Sequence, residues 1–349
     1  NCYGKGARAR AARAMGKGQG KEPMAVRMGF IGTGGIAQGH MDRLSQIEGV
    51  ELVSFCDVNL DRARAAAEKF GGRAYSDFAK MLEGEDLTAV FIGTPPFAHG
   101  EIELACCERG LHMLIEKPVA IDCDMARPIL KKVKETGVIT LVAYKYRWDD
   151  HVIKAKEMLA GRTIGLVFGN FWGGLPGAPW WRVQEQSGGQ MVEQTTHIVD
   201  MARYLAGEIM QVQAFQTRQV MHKKVENCNI ADAATANLVF ANGAVGTISN
   251  TCMLAGWGQS SCRVMAEGFT LNIAGAVLTW NSAEESGEYT KQEDGYLGED
   301  RAFIHAIKTG DRSVIHSDYE DAYRTLAATV AVNRSAETGG AVISVADLL

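Results

Sequence analysis

The stretch Val26-Arg27-Met28-Gly29-Phe30-Ile31-Gly32-Thr33-Gly34-Gly35-Ile36-Ala37 decides the fold. A short apolar run enters a glycine-rich turn, and an amphipathic stretch from 36 to 47 follows. Gly32, Gly34 and Ala37 fit G-x-G-x-x-G/A, where the first two glycines permit a tight turn and close approach of a pyrophosphate to a helix N-terminus. Gly35 and Ile36 complete the turn. Asp57 closes the next apolar run, Glu51 to Cys56. That is about 20 to 25 residues on, where a carboxylate accepts from the ribose hydroxyls of an adenosine.

The alternation continues outward. Apolar runs at 89–92, 112–115 and 138–143 are separated by amphipathic stretches at 97–109 and 123–136. Such spacing predicts right-handed βαβ units and a parallel, doubly wound Rossmann sheet over residues 24–148. After residue 160 longer alternating runs appear, at 164–172, 209–220, 229–240, 244–254, 261–266 and 269–280. They predict an open, mostly antiparallel sheet with one covered face. Helices are expected at 190–206, 299–308 and 318–337, so residues 149–349 read as a substrate-binding and oligomerisation domain of α+β type. An uncovered sheet face would favour a homodimer or homotetramer, with Leu238, Phe240, Val245, Ile248 and Met253 as alternating candidates whose faces the sequence leaves open.

The formal charge of −5 and a charged content of 22% give no global attraction to nucleic acid or to an anionic membrane. No apolar stretch approaches the roughly 20 residues of a membrane helix. Eight cysteines, with no CxxC pair and no Cys/His cluster at ligand spacing, read as reduced thiols without a metal. A cytoplasmic location is expected. Residues 1–23 are a basic leader (Lys5, Arg8, Arg10, Arg13, Lys17, Lys21) that cannot build a core. It reads as disordered or non-native, with Met24 as the natural start.

Chemistry is carried first by Glu116-Lys117-Pro118, at the carboxyl end of the run 112–115. Open α/β sheets keep their ligands at that edge. Pro118 holds Lys117 extended, and the bond between them is open to the cis form. Burial beside a positive nicotinamide would lower the Lys117 pKa and suit it to proton transfer as well as to holding an alkoxide. Glu116 is a candidate anchor for the turn or the cofactor. Thr94 and Pro95, after the run 89–92, would wall the nicotinamide ribose, and His99 just beyond reads as a helix-start residue.

Further on, Glu193 and His197 stand at i and i+4 after Ser187-Gly188-Gly189. On one helix they would share a face, and the carboxylate would orient the ring and favour its protonated form.

At these residues the chain resembles the Gfo/Idh/MocA family, the relatives of glucose-fructose oxidoreductase and inositol dehydrogenase, from Met24 to Val345. The carrying motifs are Gly29 to Ala37, Glu116-Lys117-Pro118, Tyr146-Arg147-Trp148, Gly188-Gly189 leading to His197 and Asp200, and Ser335 to Val342. The resemblance implies a nicotinamide facing the cleft between two domains, with Lys117 at the reacting oxygen and His197 as acid or base. Many members carry aspartate where this chain has Glu193, which leaves Glu193 open between orienting His197 and touching the substrate. Trp172, Trp181 and Arg147 are candidate substrate contacts and Arg182 a candidate cofactor contact, with packing as the alternative reading of each.

The activity expected is hydride transfer between NAD and a secondary alcohol of a sugar, cyclitol or related polyol. Asp57 would repel a 2′-phosphate and so favours NAD, while Arg62 nearby leaves NADP open. The rival readings are a glycosidase that keeps NAD bound and acts by transient oxidation, and a non-catalytic NAD-sensing regulator.

Overall fold

A computed structural model describes residues 25–349. The basic leader lies outside the described residues. The first sheet has six parallel strands: β1 (Val26–Ile31), β2 (Val50–Cys56), β3 (Arg73–Tyr75), β4 (Ala89–Ile92), β5 (His112–Ile115) and β6 (Thr140–Val142). Their spatial order is β3-β2-β1-β4-β5-β6. Both faces are covered, so the inner strands are continuously apolar: every residue of β4 is fully buried, as are Met113, Leu114 and Ile115 of β5. The order reverses between β1 and β4, and that switch point opens a crevice at the carboxyl ends of the strands.

The second sheet has nine strands: β7 (Ile164–Trp172), β8 (Ile209–Thr217), β9 (Ala233–Phe240), β10 (Val245–Thr251), β11 (Gln259–Ala266), β12 (Phe269–Ala274), β13 (Val277–Ser282), β14 (Ser286–Thr290) and β15 (Ile343–Ser344). All pairings are antiparallel except β7 with β10. Residues alternate between a face packed under the helices Thr196–Ala206 and Tyr319–Glu337 and an open face. The run 269–280, read as one strand, is a hairpin of two.

Of the alternating candidates, Leu238, Phe240 and Ile248 point inward and are buried, whereas Val245 and Met253 are exposed. The strand period of two sends Phe168, Phe215, Val239 and Val245 outward instead, where they are exposed.

The helix Gly295–Thr309 lies in the stretch assigned to the second domain, yet it packs on the first sheet. Phe303, Ile304 and Ala306 share a core with Met28, Phe30 and Leu44. Its first turn therefore reaches the crevice. No helix among the described residues is long and apolar enough to cross a membrane. The seven described cysteines are free and buried.

Candidate active site

Gly32 leaves β1 with φ +87°, and a Cβ there would stand 2.6 Å from the Gly93 carbonyl oxygen, so only glycine fits. Beyond it, Gly34 and Gly35 have no atom within 4 Å of where a Cβ would lie. The helix Gly35–Leu44 begins there with no side-chain cap, leaving its first N–H groups open to an anion. Asp57 Oδ2 accepts from Thr33 N at 2.9 Å and Thr33 Oγ1 at 3.1 Å, locking the end of β2 to the turn. Gly32, Gly34, Gly35 and Asp57, with Ile36, Thr94, Pro95, Glu116 and Lys117, line one cleft of about 1330 Å³ that also takes Glu193, His197 and Tyr296 from the later part of the chain. An uncapped helix start, an open glycine cradle and a carboxylate beyond it fit a dinucleotide.

Lys117 follows β5 through a cis bond to Pro118. Its Nζ donates to the Glu193 carbonyl oxygen at 2.9 Å and to Glu193 Oε1 at 3.1 Å. Burial pulls the Lys117 pKa down, but the charges of Glu193 and Glu116 outweigh it and raise the pKa above its ordinary value. The expectation of a lowered pKa is corrected: the nearest charge is an anion the sequence could not place there.

That same anion is withdrawn from His197. The helix is broken between Gly189–Glu193 and Thr196–Ala206, so Glu193 and His197 do not share a helical face. The other Glu193 oxygen accepts from Trp181 Nε1. Left without a carboxylate, His197 has its pKa pushed well below 6.5 by burial and by the positive charges of Lys117 and Lys145. A neutral ring, rather than the protonated one expected, faces the cleft, with Tyr146 packed 5.3 Å from its centroid.

The family model for the NAD-binding Rossmann fold of the Gfo/Idh/MocA oxidoreductases matches residues 26–144, and that for the Gfo/Idh/MocA C-terminal domain matches 152–271. The chain belongs to the Gfo/Idh/MocA family. It is 27% identical to myo-inositol 2-dehydrogenase of Thermotoga maritima over 326 residues, covering 89% of this chain and 96% of that protein. It is 29% identical to the NAD-dependent scyllo-inositol 2-dehydrogenase of Bacillus subtilis over 64% of this chain and 66% of that protein. Levoglucosan dehydrogenase in complex with NADH has the same fold, with a TM-score of 0.82 at 22% identity over 92% of this chain and 99% of that one. As a Gfo/Idh/MocA oxidoreductase, the chain is an NAD-dependent enzyme.

Four candidate contacts lie outside the cleft of this Gfo/Idh/MocA member. Arg147 is buried: it grips Asp200 at 2.9 and 2.6 Å, Asp321 at 2.6 Å and the His316 carbonyl, so it ties three segments together and is not free for substrate. Trp172 ends β7 on the open face, with Nε1 on Ser249 Oγ at 3.1 Å, because strand alternation sends it there with Phe168. The short turn Pro179–Arg182 points successive side chains different ways: Trp180 lines the cleft, Trp181 is buried behind Glu193, and Arg182 reaches the Glu226 carbonyl. His99, read as a helix-start residue, does line the cleft and is buried against Glu103 ahead of the helix Glu101–Glu108.

Sequence reading missed Lys145 and Tyr296, and among the loop tryptophans it singled out Trp172 and Trp181 rather than Trp180, which lines the cleft. Tyr296 had no local signal, since only the return of its helix to the first sheet brings it here. Lys145 stands immediately before the motif Tyr146-Arg147-Trp148, and its charge beside that motif was the available cue.

Proposed function

We propose that this enzyme oxidises a secondary alcohol of a sugar, cyclitol or related polyol at the crossing of Lys117 and His197. NAD, when bound, supplies the hydride acceptor. Gly32, Gly34, Gly35 and the start of the helix Gly35–Leu44 hold its pyrophosphate, Asp57 its adenosine ribose, and Glu116, Thr94 and Pro95 the nicotinamide side. The observation that carries the reading is one cleft shared by the glycine cradle, Lys117 and His197.

Lys117 keeps its proton and donates a hydrogen bond to the alcohol oxygen, stabilising negative charge as it develops. Glu193 aims the ammonium, and Trp181 fixes Glu193. His197 is neutral and takes the hydroxyl proton. Beside two ammonium groups the imidazolium is unfavourable, so the proton passes readily to water.

Supporting an assembly, the open sheet face carries Phe168, Phe215, Val239 and Val245, an apolar surface that a second copy would bury as a homodimer or homotetramer. Buried free thiols suit a reducing cytoplasm. The test is purified protein with NAD or NADP and a panel of sugars and polyols, followed at the nicotinamide absorbance. NADH formation with a polyol supports the reading, and product release without NADH would replace it with transient oxidation.

A further inference from the structure

Lys145 opens the turn Lys145–Trp148 after β6, and its Nζ donates to the Tyr296 hydroxyl at 3.0 Å. The ammonium also lies 4.2 Å from the centroid of that ring. Tyr296 lines the cleft beside Glu116, Lys117 and His197. The neighbouring cations are paired: Lys117 meets Glu193 at 3.1 Å, and Arg43 meets Asp300 at 2.8 Å. Among the described residues, no carboxylate comes within 4.0 Å of Lys145.

Two donors are therefore left over at one point. Lys145 has three N–H groups and uses one on the phenol. Tyr296 accepts that bond, and its own O–H has no protein acceptor among the described residues. Burial and the charges of Glu116 and Glu299 push the Tyr296 pKa up to about 12, so the phenol keeps its proton as a donor. A half-buried cation with no counter-ion and a neutral donor 3.0 Å away call for a ligand that is anionic and accepts at two atoms.

We propose that Lys145 and Tyr296 form a carboxylate subsite, so that the substrate is a sugar acid whose alcohol lies at Lys117 and His197. The inference rests on the polyol dehydrogenase reading and narrows its substrate class. It also links recognition to chemistry: Lys145 is one of the two cations that depress the His197 pKa, and a bound carboxylate offsets it, making the imidazole a stronger base once substrate is in place.

The test compares D-glucuronate and D-gluconate with D-glucose and myo-inositol, with D-glucose 6-phosphate as an anion of other geometry. Two readouts apply: kcat/KM with NAD, and binding to the enzyme–NADH complex followed by NADH fluorescence. The acids are expected to exceed the neutral sugars by about tenfold or more, the scale of a hydrogen bond to a charged group. Lys145→Met should erase that ratio, Lys145→Arg should retain most of it, and Tyr296→Phe should reduce it. Neutral sugars performing as well as the acids, an unchanged ratio in Lys145→Met, or preference for the phosphate overturns the carboxylate subsite and leaves the dehydrogenase reading standing. Failure of every sugar to bind or react overturns both.

Discussion

Glu193 holds Lys117 twice, through its carbonyl oxygen at 2.9 Å and its Oε1 at 3.1 Å, so backbone and side chain of one residue aim a single ammonium into the cleft. Removing the charge while keeping the shape, as in Glu193→Gln, takes away the larger of the influences that raise the Lys117 pKa. That pKa should fall, and the alkaline limb of kcat/KM should move to lower pH. Lys117→Ala removes the donor itself and should cost about 100-fold or more in kcat, the range of positioned acid–base and oxyanion groups. A pH–rate series on both variants and the parent checks the pair. An unmoved alkaline limb in Glu193→Gln counts against the clamp.

His197 gives the acid side of the same profile. Its pKa lies well below 6.5, so the neutral base is the resident form at pH 6.5 and above. Alcohol oxidation should therefore show no acid limb near pH 6.5 and should fall off only at more acidic pH. His197→Ala should lower kcat by about 100-fold or more. A limb at or above pH 6.5 in kcat/KM would contradict the assignment.

These two groups mark how far the sequence could be read. The parallel half was legible because most of its strands are apolar runs followed by amphipathic helices, and the glycine turn fixes what lies at the sheet edge; the edge strand β3, Arg73-Ala74-Tyr75, carries no apolar run and was not read. Lys117 and His197 were legible for the same reason, since each stands at the end of a local motif. The break at Gln194–Thr195 was not: the local pattern is that of a helix, and only the pull of Lys117 and Trp181 on Glu193 accompanies its interruption. For Arg147, Trp172, Trp181 and Arg182 the sequence left packing and ligand contact both open, because a motif gives the residue and not its direction. In each case the direction was set by a partner distant in sequence, such as Asp321 for Arg147 or Ser249 for Trp172. Tyr296 needed the third dimension entirely.

Cofactor choice follows from Asp57, whose Oδ2 is already bonded to Thr33 while Oδ1 meets Asn59 N at 2.9 Å. On the proposed reading, a carboxylate fixed this firmly would accept from the ribose hydroxyls and repel an additional phosphate. Asp57→Ala should weaken NAD by about tenfold and leave NADP little changed, because loosening the turn harms both cofactors and loss of repulsion helps one. The ratio of kcat/KM for the two cofactors isolates the effect. Since Arg62 lines the same cleft, a further Asp57→Ser change is expected to tilt the ratio the same way.

A buried cluster behind the cleft makes stability depend on pH. His40 Nδ1 lies 2.6 Å from Asp300 Oδ1, and its Nε2 stands 3.5 Å from Glu116 and 3.9 Å from Glu299. Burial works against the charged ring, but the hydrogen bond to Asp300 and the negative charges of Asp300 and Glu116 push its pKa up to about 10. Glu299 is raised well above its ordinary value by burial, with Glu116 and Asp300 adding, so it stays protonated. Both groups bind a proton more firmly in the folded chain than in the unfolded one. Stability must then fall as pH rises: from about 4.5 upward for Glu299, and from about 6.5 to about 10 for His40. The loss should reach the order of a few kcal/mol by pH 10. Glu299→Gln imitates the protonated side chain and cannot ionise, so it should match the parent near pH 4.5, gain on it as pH rises, and flatten the decline across pH 6 to 9.5. Urea midpoints of parent and variant from pH 6 to 9.5 check this, and parallel curves would mean that Glu299 is already ionised inside the fold.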